Sequence, residues 1–275
     1  AYENAQAPVE IDVSENWELS DDTQLTIATC EAIIEANGRI EPERIAERFA
    51  YWHRLNRVTG IGASTFKALT ELVAGGHWAL VGAKGERAAG NGPAMRIAPL
   101  AFCLNPAEPL SRRTIRDVSR ITHHHEEAYV GALAVALAVR AAYDGQWNGQ
   151  VDLLRLVAEK LPDTSVKDNI KRLVELDQAT PLLEVAERFG CSGYVAESVP
   201  LALYGAGRIK KLGFKTMLTE LVACGGDTDT IASIAGQIAG ALLGVSGLPA
   251  DLLANLPESD LVVNTAKQFA KCLAG

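Results

Sequence analysis

The stretch "LVACGGDTDTIASIAGQIAGALLG", Leu221 to Gly244, decides how this chain folds. Two carboxylates, Asp227 and Asp229, stand among threonines directly after Gly225-Gly226, and an apolar run rich in glycine and alanine follows. Glycines followed by Asp and Thr signal the start of a helix. Small residues recur at Ala232, Gly236, Ala239 and Gly240. Each interior glycine costs up to about 1 kcal/mol relative to alanine, so close packing by neighbouring helices is expected to offset it. The run therefore reads as a buried helix at the centre of a bundle. A membrane span is the weaker reading of Ile231 to Pro249, because Ser233 and Gln237 interrupt the run and two aspartates stand at its mouth.

Outward from this segment the period is helical almost throughout. Leu25, Ala28 and Ala32 share a face, as do Ile45, Ala46, Phe49 and Ala50, and Leu69, Leu72 and Val73. Further helices are expected over Glu126 to Tyr143, Val151 to Leu161, Ser165 to Glu175, Pro181 to Phe189, Tyr194 to Tyr204, Phe214 to Cys224 and Ser259 to Cys272. Start signals include Pro42 after Glu41, Asp163-Thr164-Ser165, and Pro181 after Thr180. Alternating apolar and polar runs are scarce, and no linker, charge block or repeat divides the chain. Residues 1–275 are therefore expected to form one compact all-α domain, long enough to bury a sizeable core.

The bulk charge narrows the function. With 48% hydrophobic and 22% charged residues and a net charge of -8, the chain is globular and has no general affinity for nucleic acid or an anionic membrane. Five scattered cysteines (Cys30, Cys103, Cys191, Cys224, Cys272) include no C-x-x-C pair and read as reduced thiols. With no signal peptide read at the start, a cytoplasmic location is expected.

A second stretch, "LSDDTQLTIATCEAI" from Leu19 to Ile33, resembles the first: Ser20-Asp21-Asp22-Thr23 opens an amphipathic helix. Each start also reads as an ordinary cap, with acids facing the positive end of the helix dipole. If the two starts face each other, four carboxylates converge, and like charges so close need a cation. Oxygen donors without His or thiolate favour Mg²⁺ or Mn²⁺, singly or as a pair, over zinc. An EF-hand is excluded, because the residues after Asp227-x-Asp229 lack its glycine and terminal glutamate. In "AAGNGPAMRIAPL", Ala88 to Leu100, Gly90-Asn91-Gly92 signals a turn whose amides could receive phosphate or sugar hydroxyls, or simply an αL turn. In "ITHHHEEAYVGALAVA", three adjacent histidines on a helix would not share a face, so at most His123 or His125 is expected to reach a pocket.

Taken in order, Ser20-Asp21-Asp22-Thr23, Gly90-Asn91-Gly92 with Ala94-Met95-Arg96, Thr122-His123, Gly193-Tyr194 with Glu197-Ser198-Val199-Pro200, and Gly226-Asp227-Thr228-Asp229-Thr230 resemble the motifs of the ADP-ribosylglycohydrolase family. The match spans almost the whole chain. It implies a compact orthogonal all-α bundle with two Mg²⁺ or Mn²⁺ ions at the base of a cleft. It also implies hydrolysis of the C1″ bond of ADP-ribosylated protein, arginine-linked foremost, or of a related conjugate.

Carried over by residue, Ser20, Asp21, Asp22, Asp227, Asp229 and Thr230 would be metal ligands, with Asp21, Asp22 and Asp229 in the catalytic set. Ala7-Pro8-Val9-Glu10 resembles the end of the family's first motif, which makes Glu10 the candidate for activating water; the helix that usually precedes it has no recognisable counterpart here. Asn91 and Gly92 would line the distal ribose and diphosphate path, His123 would touch ribose or phosphate, and Gly193 and Tyr194 would lie near the nucleotide. Two readings are carried forward: a metal-dependent hydrolase, expected to be monomeric, and a non-catalytic ADP-ribose binder of the same family.

Overall fold

A computed structural model of the chain describes residues 17–150, 152–177 and 179–274. In chain order the helices are α1 (Asp21–Glu35), α2 (Pro42–Arg54), α3 (Ala63–Val73), α4 (Trp78–Val81), α5 (Gly92–Met95), α6 (Ala98–Cys103), α7 (Pro109–Arg120), α8 (Glu126–Tyr143), α9 (Leu153–Ala158) and α10 (Ser165–Val174). They continue with α11 (Leu182–Phe189), α12 (Val195–Gly207), α13 (Ile209–Leu212), α14 (Phe214–Ala223), α15 (Thr228–Leu243), α16 (Ala250–Ala254) and α17 (Ser259–Leu273). The only sheet among the described residues is a parallel pair, β1 (Ala83–Lys84) and β2 (His123–His124). The all-α class expected from the periodicity is the one observed.

Local signals set several boundaries. Pro42 opens α2 after Glu41, and the Thr164 hydroxyl accepts from the Lys167 amide to cap α10. The long central helices α8, with 14 of its 18 residues buried, and α12, with 11 of 13, are more enclosed than α15, which buries 7 of 16. The buried stripe of α15 is Ile231, Ile234, Ala235, Ile238 and Ala239, each branched residue removing apolar surface worth about 1.5–3 kcal/mol from water. The expectation that small residues on α15 serve close packing fails for its glycines. A methyl at Gly236 would meet only Phe214, at 3.9 Å, and one at Gly240 would meet nothing within 4 Å. Close approach occurs instead on α8, where a methyl at Gly131 would lie 2.2 Å from the Val195 side chain of α12. Helices α8, α12 and α15 pack on one another in the core, and the starts of α1 and α15 meet at one end of it. No helix of the described residues is long and apolar enough to cross a membrane.

Candidate metal centre and cleft

The starts of α1 and α15 face each other, and neither N-cap residue makes a side-chain capping bond. Ser20 occupies the N-cap of α1 in extended backbone, yet its hydroxyl donates to Asp22 Oδ2 at 2.8 Å and caps no amide. Asp227 occupies the N-cap of α15 and likewise makes no side-chain capping bond. Asp21, Asp22 and Asp229 each place one carboxylate oxygen within 4.8 Å of the others. Asp227 adjoins them, its carboxyl in contact with Asp229 and Thr230.

Holding these carboxylates together is electrostatically costly. Burial pushes the Asp21 carboxyl up to about 6, with Asp229 adding to the effect. Asp22, fully enclosed, is pushed up to about 7 by burial and then by Asp21. Burial also raises Asp227, although the Asn91 amide opposes the shift. Asp22 Oδ1 is buried with no hydrogen-bond partner. An acceptor left so, in a cluster of hard oxygen donors, fits a divalent cation.

A pH dependence follows from the raised carboxyls. Both titrate above their unfolded value of 3.8, so the folded protein holds protons that the unfolded chain releases between about pH 4 and 7. The metal-free fold therefore loses stability as pH rises through that window. A cation that takes the protons' place offsets the loss. The rise in Tm on adding Mg²⁺ is expected to be larger at pH 8 than at pH 5; an equal or smaller rise at pH 8 would contradict the assignment.

Above the carboxylates opens a cavity of about 270 Å³. One wall is the loop before α5. Asn91 donates from Nδ2 to Asp227 Oδ2 at 2.7 Å and to Ser198 Oγ at 3.1 Å, while its backbone amide donates to the Gly193 carbonyl at 3.1 Å. Asn91 thus ties the α12 start to the α15 start and holds a carboxylate in place. Its flanking glycines answer to a neighbour and not to an αL turn, since neither has positive φ. A methyl at Gly90 would lie 3.0 Å from His123 Nε2, and one at Gly92 would lie 2.7 Å from His123 Cε1. The imidazole packs directly under the Gly-Asn-Gly backbone.

The start of α3 also lines the cavity, through Gly60, Gly62, Ala63, Ser64 and Thr65, and Thr65 adjoins Gly92. Gln24 holds this segment in place: it accepts from the Thr59 amide at 2.8 Å and donates to the Leu19 carbonyl at 2.7 Å. Gly62 caps α3 without a side chain, leaving first-turn amides directed at the cavity.

The structure places the expected site residues unevenly. Ser20, Asp21, Asp22, Asp227, Asp229 and Thr230 gather at the two helix starts. Asn91, Gly92, His123 and Gly193 line the cavity, while Tyr194 is 40% exposed beside it, its backbone paired with Gly90. Glu10 lies outside the described residues. The histidine run is not on a helix: His123 and His124 form β2, and His125 caps α8 by accepting from the Glu127 amide. Extended backbone turns His124 away from His123, and His125 is engaged at the α8 cap, so of the three only His123 lines the cavity. The α3 start carried no expectation, because glycines and backbone amides leave no acidic or basic signature; Gly60-x-Gly62 before Ala63-Ser64-Thr65 was its only sequence sign.

A family model described as ADP-ribosylglycohydrolase matches residues 3–274. This chain belongs to the ADP-ribosylglycohydrolase family. It is 27% identical over 263 residues to ADP-ribosylhydrolase ARH3 of Homo sapiens, covering 84% of this chain and 72% of that protein. It is 25% identical over 261 residues to ADP-ribosylarginine hydrolase Tri1 of Pseudomonas putida, covering 92% and 66%. Among solved structures, this glycohydrolase-family chain resembles an ADP-ribosylglycohydrolase-related protein complex with a TM-score of 0.64 and 26% identity, over 94% of this chain and 80% of that one. These relatives support a hydrolase.

Proposed function

We propose that the protein hydrolyses the C1″ glycosidic bond of ADP-ribosylated protein, arginine-linked foremost, or of a related ADP-ribose conjugate, and releases ADP-ribose. The observation that carries this reading is the meeting of Asp21, Asp22 and Asp229 in one charge-strained cluster, with Asp21 and Asp229 lining a cavity that the α3 start also lines. The family membership and the arginine-directed activity named for the Tri1 relative support the bond and the acceptor. Residues 1–275 act in this reading as one domain, a cytoplasmic monomer whose partner is the modified protein and not nucleic acid.

The donor set fits two Mg²⁺ or Mn²⁺ ions held by Asp21, Asp22, Asp227 and Asp229, with the Ser20 and Thr230 hydroxyls completing it. When bound, such ions fix ribose hydroxyls and lower the pKa of a water. The chain's own residues supply the remainder. Amides at the α3 start suit an anionic diphosphate, since helix starts carry partial positive charge, and Asn91 and Gly92 line the path beside them. Asn91 keeps Asp227 oriented, and Gly193 and Tyr194 flank the path of the nucleotide. Departure of the acceptor builds oxocarbenium character at the ribose. In this reading Glu10 takes the proton from the water that adds to C1″, and the released acceptor takes up that proton, which returns Glu10 to its carboxylate form.

Free ADP-ribose, as product, is expected to raise Tm in proportion to the logarithm of its concentration above Kd, as mass action requires. No shift at millimolar ADP-ribose with Mg²⁺ present would remove the substrate half of this reading. A shift without turnover in any Mg²⁺-supplemented assay would instead favour the non-catalytic binder.

A further inference from the structure

We infer that Arg96 and Thr122 are positioning residues that lock His123 in one tautomer, with its proton on Nε2, so that the cavity presents a fixed neutral donor to an acceptor oxygen of the ligand.

The inference rests on proton counting in a buried chain of three groups. Arg96, 1% exposed, is buried with its guanidinium carbon 5.2 Å from the centre of the Phe49 ring. One end of the guanidinium donates to the Gly92 carbonyl, and the other donates from Nη2 to Thr122 Oγ1 at 2.7 Å. Thr122 is fully buried, and its hydroxyl lies 2.8 Å from His123 Nδ1. A hydroxyl has one proton and two lone pairs. Arg96 can only donate, so it occupies a lone pair. Among the described residues the one acceptor left for the Thr122 proton is His123 Nδ1. Were Nδ1 protonated instead, it would donate to Thr122, and the buried Thr122 proton would have no partner, an outcome that costs more than the bond it replaces. Nδ1 is therefore the acceptor, and the neutral imidazole carries its proton on Nε2.

The ring is held neutral by its surroundings, since burial, with Arg96 adding, pushes its pKa down to about 3. Nε2 is the edge beneath Gly90 and Gly92, at the cavity wall, where neither glycine carries a side chain to cover it. Thr65 Oγ1 lies against the same spot, 3.2 Å from where a Gly92 methyl would sit. A fixed N–H beside a hydroxyl and the α3 amides suits an unprotonated, anionic oxygen of phosphate type and disfavours a ligand donor. His123 is in this view a specificity device and carries no proton through the reaction.

The tautomer can be read directly in protein labelled with ¹⁵N-histidine, with His123→Gln assigning the resonances. The expected wild-type spectrum at neutral pH shows Nε2 protonated and Nδ1 not. Thr122→Val removes the link, and both tautomers are then expected, with ADP-ribose affinity falling by about ten- to a hundredfold, the range of one hydrogen bond to a charged group. Thr122→Ser keeps the hydroxyl and is expected to restore both the spectrum and the affinity. A wild-type ring protonated on Nδ1 overturns the inference, as does a Thr122→Val protein with an unchanged tautomer and unchanged affinity. The choice of ADP-ribose as probe rests on the function proposed above. If the wild type fails to bind it, that function is lost, while the spectrum still decides the tautomer.

Discussion

Asp229→Ala is expected to abolish turnover and to weaken Mg²⁺ binding by more than about a hundredfold, beyond what loss of a group that merely supports a ligand costs. The same change is expected to stabilise the metal-free protein near pH 8. Asp229 is the principal neighbouring charge that, after burial, raises the Asp21 carboxyl, so removing it relieves like-charge repulsion in the empty cluster. Improved stability with loss of function is the signature of a charge kept for a cation. A helix-dipole acid would behave in the opposite way, its removal costing about 0.3–1 kcal/mol and leaving metal affinity alone. Thermal unfolding with and without Mg²⁺, alongside calorimetric titration, separates the two. Asn91→Ala provides the graded comparison: it deletes the amide on Asp227 and is expected to cost about 10- to 100-fold in metal affinity. That exceeds the expectation from sequence alone, which gave Asn91 only to the ligand.

Gly226→Ala is expected to destabilise the fold by about 2–5 kcal/mol, combining left-handed backbone strain with overpacking. Gly226 has φ +71°, and a methyl there would lie 2.1 Å from the Cys191 carbonyl oxygen. That same carbonyl accepts the Asp227 amide at 2.8 Å, tying the start of α15 to the loop before α12. The methyl cannot be accommodated without moving the backbone that carries Asp227. Denaturant midpoints and metal affinity should therefore fall together. A near-wild-type midpoint would show that the two loops are less tightly joined than the contact implies.

Much of this was legible in the sequence where periodicity or charge carries information. The apolar run Glu126 to Tyr143 coincides with α8, and Pro42 marks the start of α2. The paired aspartates at Asp21-Asp22 and Asp227-x-Asp229 pointed to a shared centre, because acids at apolar helix mouths are chemically conspicuous. Three features were not legible. The two-residue strand at His123–His124 is too short for any period to show, so the histidines read as helical. The walls formed by Gly60–Thr65 and by the Gly90 and Gly92 backbones act through amides and missing side chains, which composition does not advertise. The glycines of α15 looked like packing devices, but whether a neighbour approaches is decided by tertiary contacts, and these fall on Gly131 and Gly205 instead.

The most direct test is release of ADP-ribose from arginine-, serine- and nucleic-acid-linked ADP-ribose substrates by the full chain, first stripped of metal with a chelator and then supplied with Mg²⁺ or Mn²⁺. The expected result is no release from the stripped protein and restored release, greatest on the arginine-linked protein, once metal returns. Release that persists after stripping, or none on any substrate with either metal, would contradict a metal-dependent glycohydrolase built on Asp21, Asp22 and Asp229.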